Sequence, residues 1–223
     1  MQEYVIIVAG GSGSRMKSDI PKQFIAVNGF PILMHTINAF RRYSGQLSII
    51  LVLPESQFAF WNELCAEYHF KVPYNLVAGG ETRFHSVLKG LTSIQENDGI
   101  VAVHDGVRPV IFTEIIAESF RVAAESGSAV VSVPLKDSIR MLESEGQNKA
   151  LDRSQFRLVQ TPQTFPLKQM RQAFATPYRD TFTDCASVME ASGFSINLID
   201  GAYENVKITT PEDLRWAEMY LKA

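Results

Sequence analysis

The sequence predicts an α/β domain in which helices cover both faces of a mostly parallel β-sheet. Short runs of β-branched and other apolar residues recur along the chain, and stretches with helical periodicity lie between them. Such alternation is typical of right-handed βαβ units, which place parallel strands side by side and helices above and below them. Glycine pairs end two of the apolar runs, at Gly10-Gly11 and at Gly79-Gly80. The predicted architecture is therefore a three-layer, Rossmann-like domain with ligands at the carboxyl ends of its strands.

Each element follows from a local pattern. The first run, YVIIVA, is apolar throughout, as expected of a strand buried on both faces of a parallel sheet. The predicted strands are, in order, 4–9, 47–53, 74–78, 100–104, 129–133 and 195–199. The predicted helices are 31–42, 55–68, 82–94, 113–126, 184–192 and 211–221. The last helix has the clearest start signal, with Thr210 as N-cap, Pro211 at the first helical position and Glu212 and Asp213 in the first turn.

Residues 136–157 break this alternation. Alternating side chains surround a glycine-containing turn at 145–148, which predicts a β-hairpin that projects from the sheet. Its apolar residues, Ile139, Met141 and Leu151, would be poorly covered on a lone hairpin, so we expect a partner chain to cover them. Nothing else in the sequence suggests a linker, and we expect one domain over 1–223 with 136–157 as a dimerisation arm.

Composition excludes several classes of function. The 223 residues carry a formal net charge of -3, which provides no overall attraction for nucleic acid or an anionic membrane. The two cysteines, Cys65 and Cys185, form no C-x-x-C pair, which disfavours a disulfide framework and a zinc site and favours a reducing compartment. A basic leader and an apolar run of membrane-spanning length are both missing, so we expect a cytoplasmic protein without a membrane partner.

The segment VAGGSGSRMKSDIPKQF, residues 8–24, places bare backbone beside positive charge. Its glycines are Gly10, Gly11 and Gly13, and its candidate catalytic cations are Arg15 and Lys22. A dinucleotide fingerprint would require glycine where Met16 stands, and a Walker loop would require Gly-Lys at 15–16, so both are excluded. The loop could let phosphates approach its N–H groups while the cations stabilise a reacting phosphoryl group. Without further support, an ordinary surface turn with solvated cations remains an equal alternative.

Further polar clusters follow other strands. GGETRFHSV contributes Gly80, Glu81, Arg83 and Ser86, and VHDGVRP contributes Asp105 and Arg108, where an acid could hold ribose hydroxyls or hydrated magnesium. His104 is interpreted as a structural residue at a strand end. LDRSQFRLVQTPQTF contributes Arg153 and Thr161, and NVKITTPEDL contributes Lys207. Each could be an ordinary helix start or solvated charge, but their joint placement at strand ends, without a protein nucleophile, favours transfer between two phosphorylated substrates.

With these motifs assembled, the chain resembles the 2-C-methyl-D-erythritol 4-phosphate cytidylyltransferases of non-mevalonate isoprenoid biosynthesis. The matching segments are AGGSGSRM with PKQF, GGETRFHSV, VHDGVRP, LDR with TPQTF, TDCAS and NVKITTPEDL, in family order. The resemblance implies transfer of CMP from CTP to methylerythritol phosphate, with release of pyrophosphate. Because the attacking phosphate is already anionic, this reaction needs no general base, in keeping with the lack of a candidate catalytic histidine.

The resemblance also implies roles for individual residues. Arg15 and Lys22 match the catalytic pair, and Arg153, Lys207, Ser138 and Thr161 match positions around the sugar-alcohol phosphate. The implied nucleotide site comprises Ala9, Gly10, Gly11, Gly13, Gly80, Glu81, Arg83, Ser86, Asp105 and Arg108. Mg2+ would be held mainly by the triphosphate, with Asp105 as the candidate protein ligand. The family arm embraces a second subunit and delivers its arginine in trans, which implies a homodimer with arm exchange.

Other functions stay open at this stage. The sequence AGG, where AAG is frequent, is shared with ribitol-5-phosphate cytidylyltransferase, although LDRSQFRLVQTPQTF and TDCASVME favour methylerythritol phosphate. Cys185 stands where many relatives have a second acid, and Ser138 where threonine is frequent. A non-catalytic nucleotide-binding protein is a second alternative, and a dehydrogenase is disfavoured by Met16.

Overall fold

The computed structural model describes residues 1–11, 16 and 20–221. Over these residues the main sheet has seven strands: β1 (Glu3–Val8), β2 (Ser48–Leu53), β3 (Asn75–Ala78), β4 (Ile100–Asp105), β5 (Ala129–Pro134), β8 (Arg157–Pro166) and β9 (Leu198–Asp200). Between β5 and β8, strands β6 (Ile139–Leu142) and β7 (Asn148–Leu151) form a separate hairpin. A short ribbon pairs Ala26–Val27 with Phe30–Pro31. The main-sheet order is β9-β5-β8-β4-β1-β2-β3.

Helices lie on both faces of this sheet, as predicted. They are α1 (Ile32–Tyr43), α2 (Phe58–Glu67), α3 (Arg83–Ser93), α4 (Thr113–Ser126), α5 (Leu167–Phe174), α6 (Cys185–Ala191) and α7 (Pro211–Tyr220). Successive residues of β1 face opposite layers: Ile7 packs in the core with Phe40 of α1, and Ile6 packs in the other core with Leu91 of α3. The α/β class with a mostly parallel sheet is therefore confirmed.

Strand β8 is the main departure from the predicted element order. It runs antiparallel to both β4 and β5, and its register with β5 shifts between Val159 and Gln163. Its sequence, RLVQTPQTFP, has two prolines and several polar residues, a composition that disfavours assignment as a central strand. Helix α5, which follows it directly, was not predicted either. The other predicted strands and helices are present with ends shifted by at most a few residues.

The predicted hairpin is present within residues 136–157. Ile139 pairs with Leu151 and Leu142 with Asn148, and β6 and β7 form their own two-stranded sheet. A single turn of 3-10 helix, Ser144–Gly146, joins the strands. Leu142 is 83% exposed, and the adjoining first half of β8 exposes Leu158 by 53%. The described fold thus leaves several apolar side chains exposed on the hairpin and at its base.

The order of the strands determines where a ligand can bind. From β1 the chain builds outward through β2 to β3, and it then crosses to the other side of β1 to form β4. The carboxyl ends of β1 and β4 therefore flank a topological switch point, where connections leave in opposite directions and open a crevice. Among the described helices, none is long and apolar enough to cross a membrane.

Candidate active site

A cavity of about 370 Å³ opens at the carboxyl ends of β1 to β4. Its lining combines strand ends, both glycine turns and cationic side chains. The lining residues that the sequence also predicted are Ala9, Gly10, Gly11, Lys22, Gly80, Glu81, Arg83, Ser86, Asp105 and Lys207. The structure thus brings together residues that are almost 200 positions apart in the chain.

The second glycine turn is held close to the start of α3. Gly79 N donates to Leu53 O at 2.7 Å, and Gly80 N donates to the Ser86 hydroxyl at 3.1 Å. A Cβ atom at Gly80 would lie 2.4 Å from Cβ of His85, so a larger residue would push the turn away from the helix. Glycine therefore permits the close approach, and Ser86 acts in the described structure as a partner of the Gly80 backbone.

Lys22 enters the cavity from a short 3-10 turn, Lys22–Phe24, and is almost completely buried. Its Nζ donates to the carbonyl of Ile208 at 3.0 Å. A Cβ atom built at Gly11 would lie 3.5 Å from Cε of Lys22, which is ordinary van der Waals contact. The lysine side chain therefore packs close to the backbone of the first glycine turn. An ammonium group is therefore fixed beside bare backbone, as the sequence motif predicts.

Asp105 is the centre of charge on the cavity floor. Among the described residues, cationic side chains from three parts of the chain pair with its carboxylate: Arg83 Nε at 3.5 Å, Arg108 Nε at 3.2 Å and Lys207 Nζ at 3.1 Å. Burial raises the pKa of Asp105, but attraction to Arg83, Lys207 and Arg108 outweighs it and holds the pKa well below its ordinary range. The carboxylate is ionised at neutral pH and holds the cations in place.

Arg108 supports this arrangement from behind the cavity lining. Besides its ion pair with Asp105, its Nη1 donates to the carbonyl of Asn205 at 2.8 Å. Asn205 is fully buried and donates to Thr161 O at 2.8 Å and to Gln160 Oε1 at 3.2 Å. These contacts connect β4, β8 and the chain that leads to Lys207.

Thr161 and His104 lie below the cavity. The Thr161 hydroxyl accepts from Asp105 N at 3.1 Å and lies 3.1 Å from His104 Nδ1. His104 is completely buried against Phe40, and its Nε2 lies 3.0 Å from the Arg108 carbonyl oxygen. Burial lowers the pKa of His104 to about 4. These contacts agree with the structural role predicted for His104. Thr161 orients Asp105 through the backbone.

The other two residues predicted to bind the acceptor substrate, Ser138 and Arg153, lie on the arm. Ser138 and Arg153 are exposed, and Arg153 Nη1 donates to the carbonyl of Lys136 at the base of the hairpin. Neither lines the cavity of its own chain. Gly13 and Arg15 lie outside the described residues.

Sequence reasoning overlooked Gln23, although it stands beside Lys22 in the PKQF motif. Its side chain is fully buried, and its Nε2 donates to Ala9 O at 2.9 Å and to Gln57 Oε1 at 2.7 Å. These bonds fix the end of β1 against the turn after β2. Adjacency to a predicted catalytic lysine was the available signal.

The unusual Cys185 lies at the first position of α6 and is completely buried. Arg83 Nη1 donates to its Sγ at 3.4 Å. Burial raises the pKa of the Cys185 thiol above its ordinary value, although attraction to Arg83 opposes that effect. The thiol is therefore a neutral acceptor for Arg83.

A divalent cation in this cavity would have few protein ligands among the described residues. The described residues contain no group of three or more His, Cys, Asp or Glu side chains that could hold a metal ion. Both oxygens of Asp105 are engaged by cations. The donor set fits one carboxylate that assists an ion already ligated by phosphate oxygens, as Mg2+ commonly is.

Comparison with known proteins identifies the family. The family model described as 2-C-methyl-D-erythritol 4-phosphate cytidylyltransferase matches residues 4–223. The chain belongs to this cytidylyltransferase family. It is 47% identical over 215 residues to the Bacteroides thetaiotaomicron enzyme of that name, and the match covers 96% of this chain and 97% of that enzyme. The Phocaeicola vulgatus enzyme of the same name is 45% identical, and the match covers 99% of this chain and 100% of that enzyme.

Solved structures of the cytidylyltransferase family share the fold. The Thermus thermophilus enzyme superimposes with a TM-score of 0.78 at 30% identity and covers 98% of both chains. The Francisella tularensis enzyme gives 0.82 at 31% identity, with 99% of this chain and 100% of that chain covered. The predicted family, enzyme class and α/β fold are therefore confirmed, whereas the individual residue roles remain predictions.

Proposed function

We propose that the cavity described above transfers CMP from CTP to 2-C-methyl-D-erythritol 4-phosphate. The observation that carries the proposal is the cluster of Lys22, Arg83 and Lys207 around the glycine turns and Asp105 at the switch point of the sheet. Such a site binds phosphates through backbone N–H groups and fixed cations, and its described lining residues include no cysteine and no histidine that could activate a serine or threonine hydroxyl. Direct transfer between two bound phosphates is the chemistry that it suits.

In the proposed reaction, a phosphate oxygen of methylerythritol phosphate forms a bond to the α-phosphorus of CTP. The bond from that phosphorus to the bridging oxygen breaks, and pyrophosphate leaves with the electron pair. Negative charge accumulates on the oxygens around the α-phosphorus, where Lys22 and the predicted partner Arg15 would stabilise it. Lys207 would offset the repulsion between the approaching anions. The products are 4-diphosphocytidyl-2-C-methyl-D-erythritol and pyrophosphate.

The nucleotide is expected to lie across the two glycine turns, with its base near Gly80 and Ser86 and its ribose near Asp105. A divalent cation, which we infer to be Mg2+, would be held mainly by the triphosphate and neutralise part of its charge. Asp105 is the proposed protein contact for that ion. Its ion pairs with Arg83 and Lys207 would have to rearrange when the cation and substrates bind.

We further propose that the enzyme works as a homodimer in the cytoplasm. Arg153 lies on the exposed arm and outside its own chain's cavity, and apolar residues around it are uncovered. A second chain that received this arm would bury those residues and gain Arg153 and Ser138 beside the acceptor phosphate.

A substrate panel tests the reaction. Purified protein with CTP, Mg2+ and methylerythritol phosphate should release pyrophosphate, and ribitol 5-phosphate should be a poor acceptor. Brisk release with ribitol 5-phosphate alone would reassign the acceptor. Tight CTP binding without turnover on either acceptor would instead indicate a nucleotide-binding protein.

Mixing inactive variants tests the shared site. An Arg153→Ala chain and a Lys22→Ala chain should each be nearly inactive alone. In a mixed dimer, one of the two sites would combine an intact Lys22 with an intact Arg153 from the other chain, so partial activity should return. A verified mixed dimer without recovery would contradict delivery of Arg153 in trans.

A further inference from the structure

We propose that Asp213 is a positioning residue for Lys22 and Lys207, and that it acts through the backbone of residues 207–210. The effect of Asp213 on the reaction rests on the proposed function, whereas its contacts with the backbone of residues 209 and 210 are observed independently of that function. Asp213 lies in the first turn of α7 and does not line the cavity. The sequence pattern alone assigns it to the start of a helix.

Residues 207–210 carry cavity groups without belonging to a helix or strand. Lys207 and Thr209 line the cavity, and Ile208 lies between them. Ile208 N donates to Val107 O at 2.9 Å, and the Ile208 side chain is completely buried. Because no continuous ladder of backbone bonds holds this segment, individual anchors determine where its polar groups point.

Asp213 is one such anchor. Its Oδ2 accepts from Thr209 N at 2.7 Å, from the Thr209 hydroxyl at 2.9 Å and from Thr210 N at 2.8 Å. Burial raises the pKa of Asp213, but the bonds from Thr209 and Thr210 outweigh it, and the pKa lies below its usual value. The carboxylate is therefore charged at neutral pH, and hydrogen bonds to a charged acceptor are the stronger kind.

The peptide unit between Ile208 and Thr209 connects this anchor to Lys22. Its N–H, on Thr209, donates to Asp213, and its C=O, on Ile208, accepts from Lys22 Nζ at 3.0 Å. A peptide unit is planar, so fixing the direction of the N–H also fixes the direction of the C=O. The anion lies at the positive end of the peptide dipole and the ammonium at its negative end, which is favourable at both ends. Asp213 thereby fixes the carbonyl group that accepts from the Lys22 ammonium.

The same anchor acts on Lys207. This residue directly precedes the fixed peptide unit, and its Nζ pairs with Asp105 Oδ2 at 3.1 Å. A shift of the segment would therefore move two cations relative to the glycine turns. In a reaction that depends on charge placement, a displacement of about 1 Å can cost roughly 100-fold in rate.

A purely structural role for Asp213 makes a different prediction. Asp213 also takes part in the capping box with Thr210. If capping were its whole contribution, its loss would lower thermal stability without changing the environment of Lys22. The two roles are separable because only positioning couples Asp213 to Lys22.

Two measurements decide between them. The first is labelling of the full-length protein with trace acetic anhydride and quantification of Lys22 acetylation by mass spectrometry. Asp213→Ala should raise Lys22 labelling several-fold, because the ammonium loses its fixed carbonyl acceptor. Glu212→Ala, in the same helical turn and exposed, is the matched control and should leave Lys22 labelling unchanged.

The second measurement is a double-mutant cycle on pyrophosphate release. Asp213→Ala should lower kcat roughly 10- to 100-fold while the KM for CTP changes less. In a Lys22→Ala background the same change should have a smaller effect, since one of the two positioned cations is already gone and only Lys207 can still be displaced. Asp213→Asn, which keeps one acceptor oxygen, should recover part of the rate.

Unchanged Lys22 labelling in a folded Asp213→Ala protein would overturn the proposal, and so would rate effects that multiply independently in the cycle. If Asp213→Ala does not fold, Asp213→Asn provides the comparison, because it removes the charge of the acceptor and should raise Lys22 labelling to a smaller extent. An inactive wild-type protein would refute the proposed function alone, because the labelling result does not depend on turnover.

Discussion

At the scale of single residues, charge placement explains why Lys22 is buried in a polar cavity. Its ammonium donates to Ile208 O and lies beside Gly11, at the first glycine turn of the cavity. The free energy needed to desolvate the lysine is spent when the protein folds and does not recur during the reaction. Lys22 therefore suits stabilisation of a charge that appears only as the α-phosphorus is attacked.

Replacing Lys22 tests this role. Lys22→Ala should lower kcat by roughly 100- to 1000-fold, while the dissociation constant for CTP changes far less. Lys71→Ala, at an exposed position outside the cavity lining, is the control and should leave both values unchanged. Steady-state kinetics and calorimetric titration with CTP provide the comparison. Equal losses in kcat and in CTP binding energy would contradict a role confined to the transition state.

His104 gives the protein a predictable dependence of stability on pH. Burial lowers its folded-state pKa from 6.5 to about 4, so the unfolded chain takes up a proton at a higher pH than the folded chain does. The free energy of unfolding should therefore fall as the pH drops from 6.5 towards 4, by about 3 kcal/mol in total. Above pH 7 this contribution is constant.

Urea denaturation between pH 7.5 and 4.5 measures that slope. His104→Gln should flatten it, whereas His69→Asn, at an exposed position, should leave it as in the wild type. If the buried variant does not fold, titration of the His104 imidazole by NMR supplies the folded-state pKa directly. A wild-type slope that His104→Gln fails to reduce would assign the effect to other groups.

At the scale of elements, β8 shows how a polar strand can be central. Its second half is buried between β4 and β5, and its glutamines satisfy backbone groups of neighbouring segments. Gln163 Oε1 accepts from both Cys185 N and Ala186 N at 3.0 Å, and its Nε2 donates to Asp184 Oδ2 at 2.8 Å. One side chain thus attaches the start of α6 to the sheet.

Gln163→Leu should consequently be strongly destabilising. The change removes the acceptor of two buried amide donors, Cys185 N and Ala186 N, and one of the bonds to the Asp184 carboxylate, and an unsatisfied buried polar group costs about 1–3 kcal/mol. We expect the free energy of unfolding to fall by about 3 kcal/mol in total. Gln95→Leu, at an exposed position, serves as the matched control and should change stability little. Chemical denaturation of both variants measures the free energy of unfolding. It distinguishes a loss of stability from a loss of activity in a protein that is equally stable.

The same elements show what sequence patterns could and could not predict. Apolar runs such as the one in β1 identify strands because both faces of the strand are buried. In β8, the side chains of Gln160, Thr161 and Gln163 are buried because partners distant in the sequence bind them. The composition of the segment does not indicate those distant partners. From the sequence, the segment was therefore predicted to contribute site residues but was not predicted to be a strand.

At the scale of the whole molecule, the sheet topology explains why motif reasoning located most of the cavity. Residues at the carboxyl ends of β1, β3 and β4 meet because parallel strands end at one edge, so Gly10, Gly80 and Asp105 could be placed together from sequence. Lys207 does not lie at the end of a strand that neighbours β1. Its position depends on the contacts of Asn205 with Thr161 and of Ile208 with Val107. Its ion pair with Asp105 could not be derived from spacing, and only the family resemblance indicated its role.

The arm provides the last prediction. Leu142 and Leu158 contribute exposed apolar surface on the hairpin and its base, and a homodimer would bury them. The double change Leu142→Glu and Leu158→Glu should therefore shift the protein from dimer to monomer in analytical ultracentrifugation. Because both side chains are already exposed within the chain, thermal unfolding of the separated monomer should still be cooperative.

Loss of the dimer should also lower transfer activity, since each cavity would then lack the partner's Arg153. Met219→Glu, which replaces another exposed apolar residue on α7, is the matched control and should remain dimeric and active. Raising the protein concentration should restore activity to the doubly changed protein in proportion to the dimer that forms. A monomer with full activity would show that Arg153 acts within its own chain or is not needed, and a persistent dimer would place the interface on a different surface.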